Sequence, residues 1–264
     1  MVNFNETDII EWKQSFYGWW DAYIRGEKIK VPSISAIVEQ IPDPGWDNFV
    51  SEVGEEKANK ILKLAGDRGT VMHMLLENYY TAKAIKGDDS KAIKYTLQKT
   101  AEQLKSKDIE EVSINTGKQL FYKLKDSEIS QKIARVVGLE KMIASFKYFY
   151  RGKYDITFLT NDNKRCITDF KASSREVESG SVKEQKYKMQ LVGYWQGYEE
   201  MTGKELDFAN LWISIKNSEP QEISISKKDK ELLLPQFNDL CRQWHEKNDQ
   251  SIELLSKLEY KLLK

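Results

Sequence analysis

The stretch Tyr154-Asp155-Ile156-Thr157-Phe158-Leu159-Thr160-Asn161-Asp162-Asn163-Lys164-Arg165-Cys166-Ile167-Thr168-Asp169-Phe170-Lys171 decides the fold. Residues 153–160 and 165–172 alternate apolar and polar side chains, and Asn161-Asp162-Asn163-Lys164 between them has turn composition, so the segment reads as a β-hairpin. Asp169 and Lys171 are two residues apart and therefore share a sheet face, and antiparallel pairing can bring Asp155 beside them. Two adjacent carboxylates repel unless a cation sits between them, and hard oxygen donors suit Mg²⁺ or Mn²⁺. An amine next to such an ion can orient or deprotonate a water. The plain reading of the same residues is a solvated hairpin with salt bridges.

Other positions shift the balance. Arg68-Gly69-Thr70-Val71-Met72-His73 opens an apolar helical run through Leu75, Leu76 and Tyr79, with Glu77 one turn after His73. Downstream, Gln190 and Tyr194 stand at i and i+4 on one helical face. A carboxylate pair acting on sugars needs no lysine beside the water, which disfavours that class.

With these residues in order, the chain resembles the RecB-like branch of the PD-(D/E)xK nucleases, whose pattern runs G-x-x-x-H, a strand Glu, Asp, D-x-K and Q-x-x-x-Y. The matching positions are Gly69 and His73, Glu140, Asp155, Asp169 with Lys171, and Gln190 with Tyr194. The segment Pro32-Ser33-Ile34-Ser35-Ala36-Ile37, followed by Gly54-Glu55, is similar to compact phage exonucleases and the mitochondrial genome maintenance exonuclease; the likeness covers roughly residues 32 to 200. One departure is Lys153, two residues before Asp155, where family members often carry glycine; here Gly152 lies one place earlier.

The resemblance implies an α/β fold with a restriction-endonuclease-like core, a mixed central sheet flanked by helices, and a metal-dependent deoxyribonuclease. Its implied metal ligands are His73, Asp155, Asp169 and the Phe170 carbonyl, with Lys171 positioning water and Glu140 completing the site; Glu77 competes for that last role. It makes Gln190 and Tyr194 site-organising or DNA-contacting. Candidate nucleic-acid contacts are Arg68, Ser173, Ser174, Arg175, Lys183 and Lys186. The expected substrate is DNA, single-stranded for preference and attacked from its ends, with a recombination or replication protein as possible partner. A catalytically inactive DNA-binding subunit and a structure-specific endonuclease are the alternatives.

Composition fits this. The net charge is zero, from 41 basic and 41 acidic residues, which argues against nonspecific coating of nucleic acid but not against a local groove. Between Lys141 and Gln190 eleven basic residues face six acidic ones, two of which are the proposed ligands Asp155 and Asp169. Two cysteines, Cys166 and Cys241, cannot supply a four-cysteine iron–sulfur cluster. The sequence has no long apolar run and no leader pattern at its start, so the expectation is a cytoplasmic protein without membrane contact.

The expected organisation is one nuclease domain over 1–264, mainly helical over 1–110, with the catalytic sheet and Q-x-x-x-Y helix over 133–226 and C-terminal helices over 227–264. Helices are expected over 7–23, where Ile10, Trp12, Phe16, Trp19, Trp20 and Tyr23 form an aromatic stripe, and over 46–64, 70–86 and 88–107. Strands are expected over 139–150, 153–160, 165–172, 207–216 and 221–226. Further helices are expected over 182–202, 227–247 and 251–264.

Overall fold

A computed structural model describes residues 9–15, 20–248, 255 and 259–263. The hairpin is present. Strand β5 (Tyr150–Leu159) turns through Asn163, in left-handed conformation, into β6 (Arg165–Ser173), with Leu159 opposite Arg165 and Ile156 opposite Thr168. It forms the middle of a five-stranded sheet, in which β4 (Arg135–Ser145) flanks β5 and β7 (Phe208–Ile215) flanks β6, with β8 (Gln221–Ser226) at the far edge. All pairs are antiparallel except β6 with β7. That parallel pair needs a long crossover, supplied by helix α6 (Val182–Thr202).

Both faces of the sheet are covered, so β5, β6 and β7 are largely buried on both sides, while the edge strand β8 alternates. Ile167, Leu211 and Ile213 pack with α6, α1 (Ile34–Val38) and α7 (Lys227–Lys247). On the other face Ile156, Phe158, Phe170 and Trp212 pack with α3 (Glu55–Lys86), α4 (Asp89–Leu104) and α5 (Glu111–Lys125). Helix α2 (Pro44–Val53), with Asp43 as its N-cap, precedes α3.

Helix α3 runs unbroken for 32 residues, where the sequence reads as two helices parted at residues 65–69. Gly66 and Gly69 each cost about 1 kcal/mol relative to alanine, but nine of its residues are buried and tertiary packing outweighs that cost. Helix α5, which the sequence reading did not anticipate, crosses α3 at Gly117, where an added Cβ would stand 2.7 Å from Val71 Cβ and 2.8 Å from the Arg68 carbonyl oxygen. Gly117→Ala is therefore expected to destabilise the protein by about 1–3 kcal/mol through overpacking, partly offset by helix propensity. Urea denaturation reads this, and a more stable variant would contradict the close approach.

The helix expected over 46–64 is broken at Gly54, and the strand expected over 139–150 ends at Ser145, with a turn before Tyr150. Two expectations fail altogether. The segment 7–23 is not a helix: β1 (Ile9–Gln14) pairs antiparallel with β2 (Trp20–Ile24), and β2 with β3 (Glu27–Ile29). Ile10 and Trp12 are buried while Ile9 is exposed, which is strand alternation; Phe16 and Trp19 lie outside the described residues. The C-terminal segment is not helical where it is described at 259–263: β9 (Glu259–Leu263) lies parallel to β1, Ile10 opposite Tyr260. Leucines 254, 258, and the side chains of 262 and 263, are outside the described residues, and Leu255 is buried. The first 110 residues thus contribute strands as well as helices, and so does the C-terminal part. This second sheet packs on the turn between β4 and β5 through Trp12, Phe146 and Phe149, and is tied to it by Arg151, 2.7 Å from Asp21. Among the described residues no helix is long and apolar enough to cross a membrane.

Candidate metal centre

The site forms where the central sheet changes its pattern. Tyr150 and Tyr154 of β5 belong to the α6 side, yet Ile156 and Phe158 belong to the α3 side, so the alternation changes face at Asp155. Strand β4 does the same, with Ile143 on the α6 side and Leu139 on the α3 side. Between these lies Glu140, with φ of 50°, flanked by the pairs Leu139–Ile156 and Lys141–Tyr154. A left-handed glutamate costs free energy and persists only where its surroundings fix it. Here it turns a carboxylate toward Asp155.

Helix α3 closes the pocket. One ligand atom each from His73, Glu140 and Asp155 lies within 4.8 Å of the others, in a cavity of about 470 Å³ also lined by Gly69, Thr70, Glu77, Lys153 and Lys171. His73 Nδ1 stands 3.2 Å from Asp155 Oδ1, and the Phe170 amide donates to Asp155 Oδ2 at 2.5 Å. Lys171 Nζ is 2.5 Å from Asp169 Oδ2 as an ion pair in which the carboxylate is buried. Lys153 pairs with Glu140.

Charges at this depth shape one another. Burial pushes the Glu140 carboxyl up, the Asp155 charge adds to this, and Lys153 only partly offsets it, giving about 7. Burial likewise raises Asp169, against the pull of Lys171. For Asp155 burial is outweighed by His73, Lys171 and the Phe170 amide, which hold it below the usual carboxylate range. Burial disfavours the Lys171 ammonium, but Asp169 and Asp155 overcome it and raise its pKa, so the group stays charged. His73 is raised too, because the Asp155 charge and hydrogen bond outweigh burial. The donor set of two carboxylates and an imidazole, with the Asp169 carboxylate beside them, can hold a divalent cation, and its oxygens suit Mg²⁺ or Mn²⁺.

Of the residues singled out from sequence, His73, Glu140, Asp155, Asp169 and Lys171 converge. Asp169 lies beside the three-ligand group, turned to Lys171, while Glu77 lines the same cavity. Phe170 points its ring to the α3 side, 6.1 Å from the His73 ring and near parallel to Tyr80 at 6.3 Å. Gln190 and Tyr194 sit buried on α6, Gln190 Nε2 donating to the Tyr194 hydroxyl at 2.9 Å. Burial and then the Asp169 and Asp155 charges push the Tyr194 phenol well up.

The basic candidates divide. Lys183, in the first turn of α6, lies 3.5 Å from Ser173 Oγ, and its pKa is lowered by burial and by repulsion from Arg175 and Arg68. No described carboxylate forms an ion pair with Arg68, Arg175 or Lys183. Lys186 instead pairs with Glu39 at 2.8 Å. Ser173 donates to the Arg175 carbonyl at 2.6 Å, while Ser174 is exposed.

Two residues escaped the sequence reading as parts of the site. Tyr187 stands beneath both amines, its ring centroid 6.0 Å from Lys171 Nζ and 5.8 Å from Lys183 Nζ. It precedes Gln190 by three residues, and that helical spacing was the available signal. Lys153 is two residues before Asp155, a strand spacing that could have announced it.

The profile of the PD-(D/E)XK nuclease superfamily matches residues 50–255. Among solved structures, a candidate exonuclease from Eubacterium rectale is 14% identical, covers 67% of this chain and 68% of its own, and superposes with a TM-score of 0.39. The protein SSO0001 is 12% identical over 64% of this chain and 73% of its own, with a TM-score of 0.30. No curated protein sequence matches the chain.

Proposed function

The chain belongs to the PD-(D/E)XK nuclease superfamily, and from that premise we propose that it hydrolyses DNA phosphodiester bonds with a bound Mg²⁺ or Mn²⁺, working from strand ends and preferring single strands. The observation that carries the reading is the gathering of His73, Glu140 and Asp155 donor atoms within 4.8 Å, with the Lys171 ammonium at the same cavity.

In this proposal His73, Glu140 and Asp155 hold the ion, with Asp169 and the Phe170 carbonyl completing its shell. When bound, the ion polarises the scissile phosphate and acidifies a water. Lys171, kept charged by its two aspartates, orients that water and offsets charge developing on the phosphoryl oxygens. Gln190 and Tyr194 support Asp169 from the α6 side. Arg68, Arg175 and Lys183 receive neighbouring phosphates, aided by Ser173 and Ser174, and Lys186 joins them on parting from Glu39. The setting that suits these roles is cytoplasmic DNA recombination, repair or phage DNA metabolism, alongside a recombination or replication partner.

Time courses on DNA labelled at one end and then the other test the reading. Stepwise shortening that needs Mg²⁺ or Mn²⁺ and stops in EDTA is expected. Internal fragments would favour the structure-specific endonuclease, and binding without cleavage the inactive subunit. Cleavage that survives EDTA overturns the metal assignment.

The basic cluster makes a separate prediction. Lys183→Gln should weaken binding of a single strand and reduce the slope of log affinity against log salt by about 0.7, the release expected for one phosphate contact. Fluorescence anisotropy across a salt series measures it, and an unchanged slope would remove Lys183 from the substrate path.

A further inference from the structure

Charge balance at the pocket singles out Lys153. Four carboxylates, Glu77, Glu140, Asp155 and Asp169, gather at or beside it with two amines, Lys153 and Lys171. Lys171 is matched by Asp169. Lys153 is matched by Glu140, itself one of the three groups whose donor atoms converge. The Glu140 side chain is only 14% exposed, while that of Lys153 is 38% exposed, so the amine covers the carboxylate from the solvent side.

We propose that Lys153 is a built-in counter-ion of the metal pocket, which holds Glu140 in place and lets a single divalent ion, rather than two, complete the site. The inference rests on the cation-binding role given to this pocket above. Metal binding releases protons from the groups around the ion; with His73 then neutral and the carboxylates ionised, four carboxylates and two ammonium groups leave two negative charges. One divalent ion cancels them. A second would leave the same surplus with positive sign beside the buried Asp155 and Asp169 and four half-buried groups, and an uncompensated charge away from water is disfavoured. Without the lysine the deficit is three, which one ion no longer meets. Lys153 acts through Glu140 and is therefore a positioning residue. It also competes with the ion for that carboxylate, so its removal strengthens the uptake of the first ion.

Mn²⁺ binding followed by electron paramagnetic resonance, without nucleic acid, tests this. Wild-type protein should take up one ion per chain. Lys153→Met should bind its first ion about fivefold more tightly, the weight of losing one competing solvent-facing ion pair, and accept a second at higher Mn²⁺, whereas Lys153→Arg, which keeps the charge, should behave as wild type. Melting in EDTA and then in Mn²⁺ gives an independent readout: Lys153→Met should melt below wild type in EDTA and gain more from Mn²⁺. Two ions of similar affinity in the wild type would overturn the inference, as would a Lys153→Met variant equal to wild type in affinity and stoichiometry. The wild-type stoichiometry needs no variant to fold. A chain that holds one ion and cleaves no DNA would sink the nuclease reading while supporting the counter-ion, and one that holds none would sink both.

Discussion

Lys171→Met is expected to lower DNA turnover by about 10³-fold while the protein stays folded. Methionine keeps the length and apolar stem of the side chain; what disappears is the ammonium, 2.5 Å from Asp169 and 6.0 Å from the Tyr187 ring centroid. Removing one partner of a buried ion pair can cost about 3–5 kcal/mol. Here Asp169 can respond by taking a proton, since burial already pushes its carboxyl up, so the stability loss should fall below that range. Rapid-quench single-turnover kinetics with circular dichroism on the same sample separates the two effects. A variant that retains a tenth or more of wild-type turnover would exclude Lys171 from the chemistry.

The second large effect is expected from Asp155→Asn. Asp155 is the residue that joins the α3 imidazole to the β6 backbone, through His73 Nδ1 and the Phe170 amide. The amide keeps the shape and one acceptor but loses the charge. Cation affinity should fall by at least ~10²-fold, beyond the lower end of losses seen for residues that merely support ligands, and cleavage should fall with it. Because an ion that binds only the folded state raises its stability, Mn²⁺ should raise the melting temperature of the wild type and leave that of Asp155→Asn nearly unmoved. Equal Mn²⁺ stabilisation of the two proteins would show that the ion binds elsewhere.

How much of this was legible in sequence differs by element. The β5–β6 hairpin was, because period-two alternation, a turn of Asn and Asp and the D-x-K spacing all pointed the same way. Helix α6 and strand β8 were read at their observed limits, 182–202 and 221–226, and the helix is capped there by Ser181 and Gly203. The aromatic segment 7–23 was misread because large side chains on nearly every turn masked the alternation. Its partner β9 lies some 250 residues away (Trp12 opposite Leu262), and no local signal announces such a pairing. Within the site, hairpin spacing grouped Asp155, Asp169 and Lys171, and the family resemblance added His73, Glu140, Gln190 and Tyr194. The left-handed turn at Glu140 was not, because it depends on two strands changing face together. Nor could sequence tell that Lys186 is taken up by Glu39 while Lys183 is left among like charges.

The central claim is that His73, Glu140 and Asp155 grip one divalent ion. Anomalous scattering from a crystal grown with Mn²⁺ tests it most directly. A single strong peak within about 2.1 Å of Glu140 and Asp155 carboxylate oxygens is expected, with the His73 ring turned toward it. A pocket without a peak, or a peak bound to other residues, would contradict it.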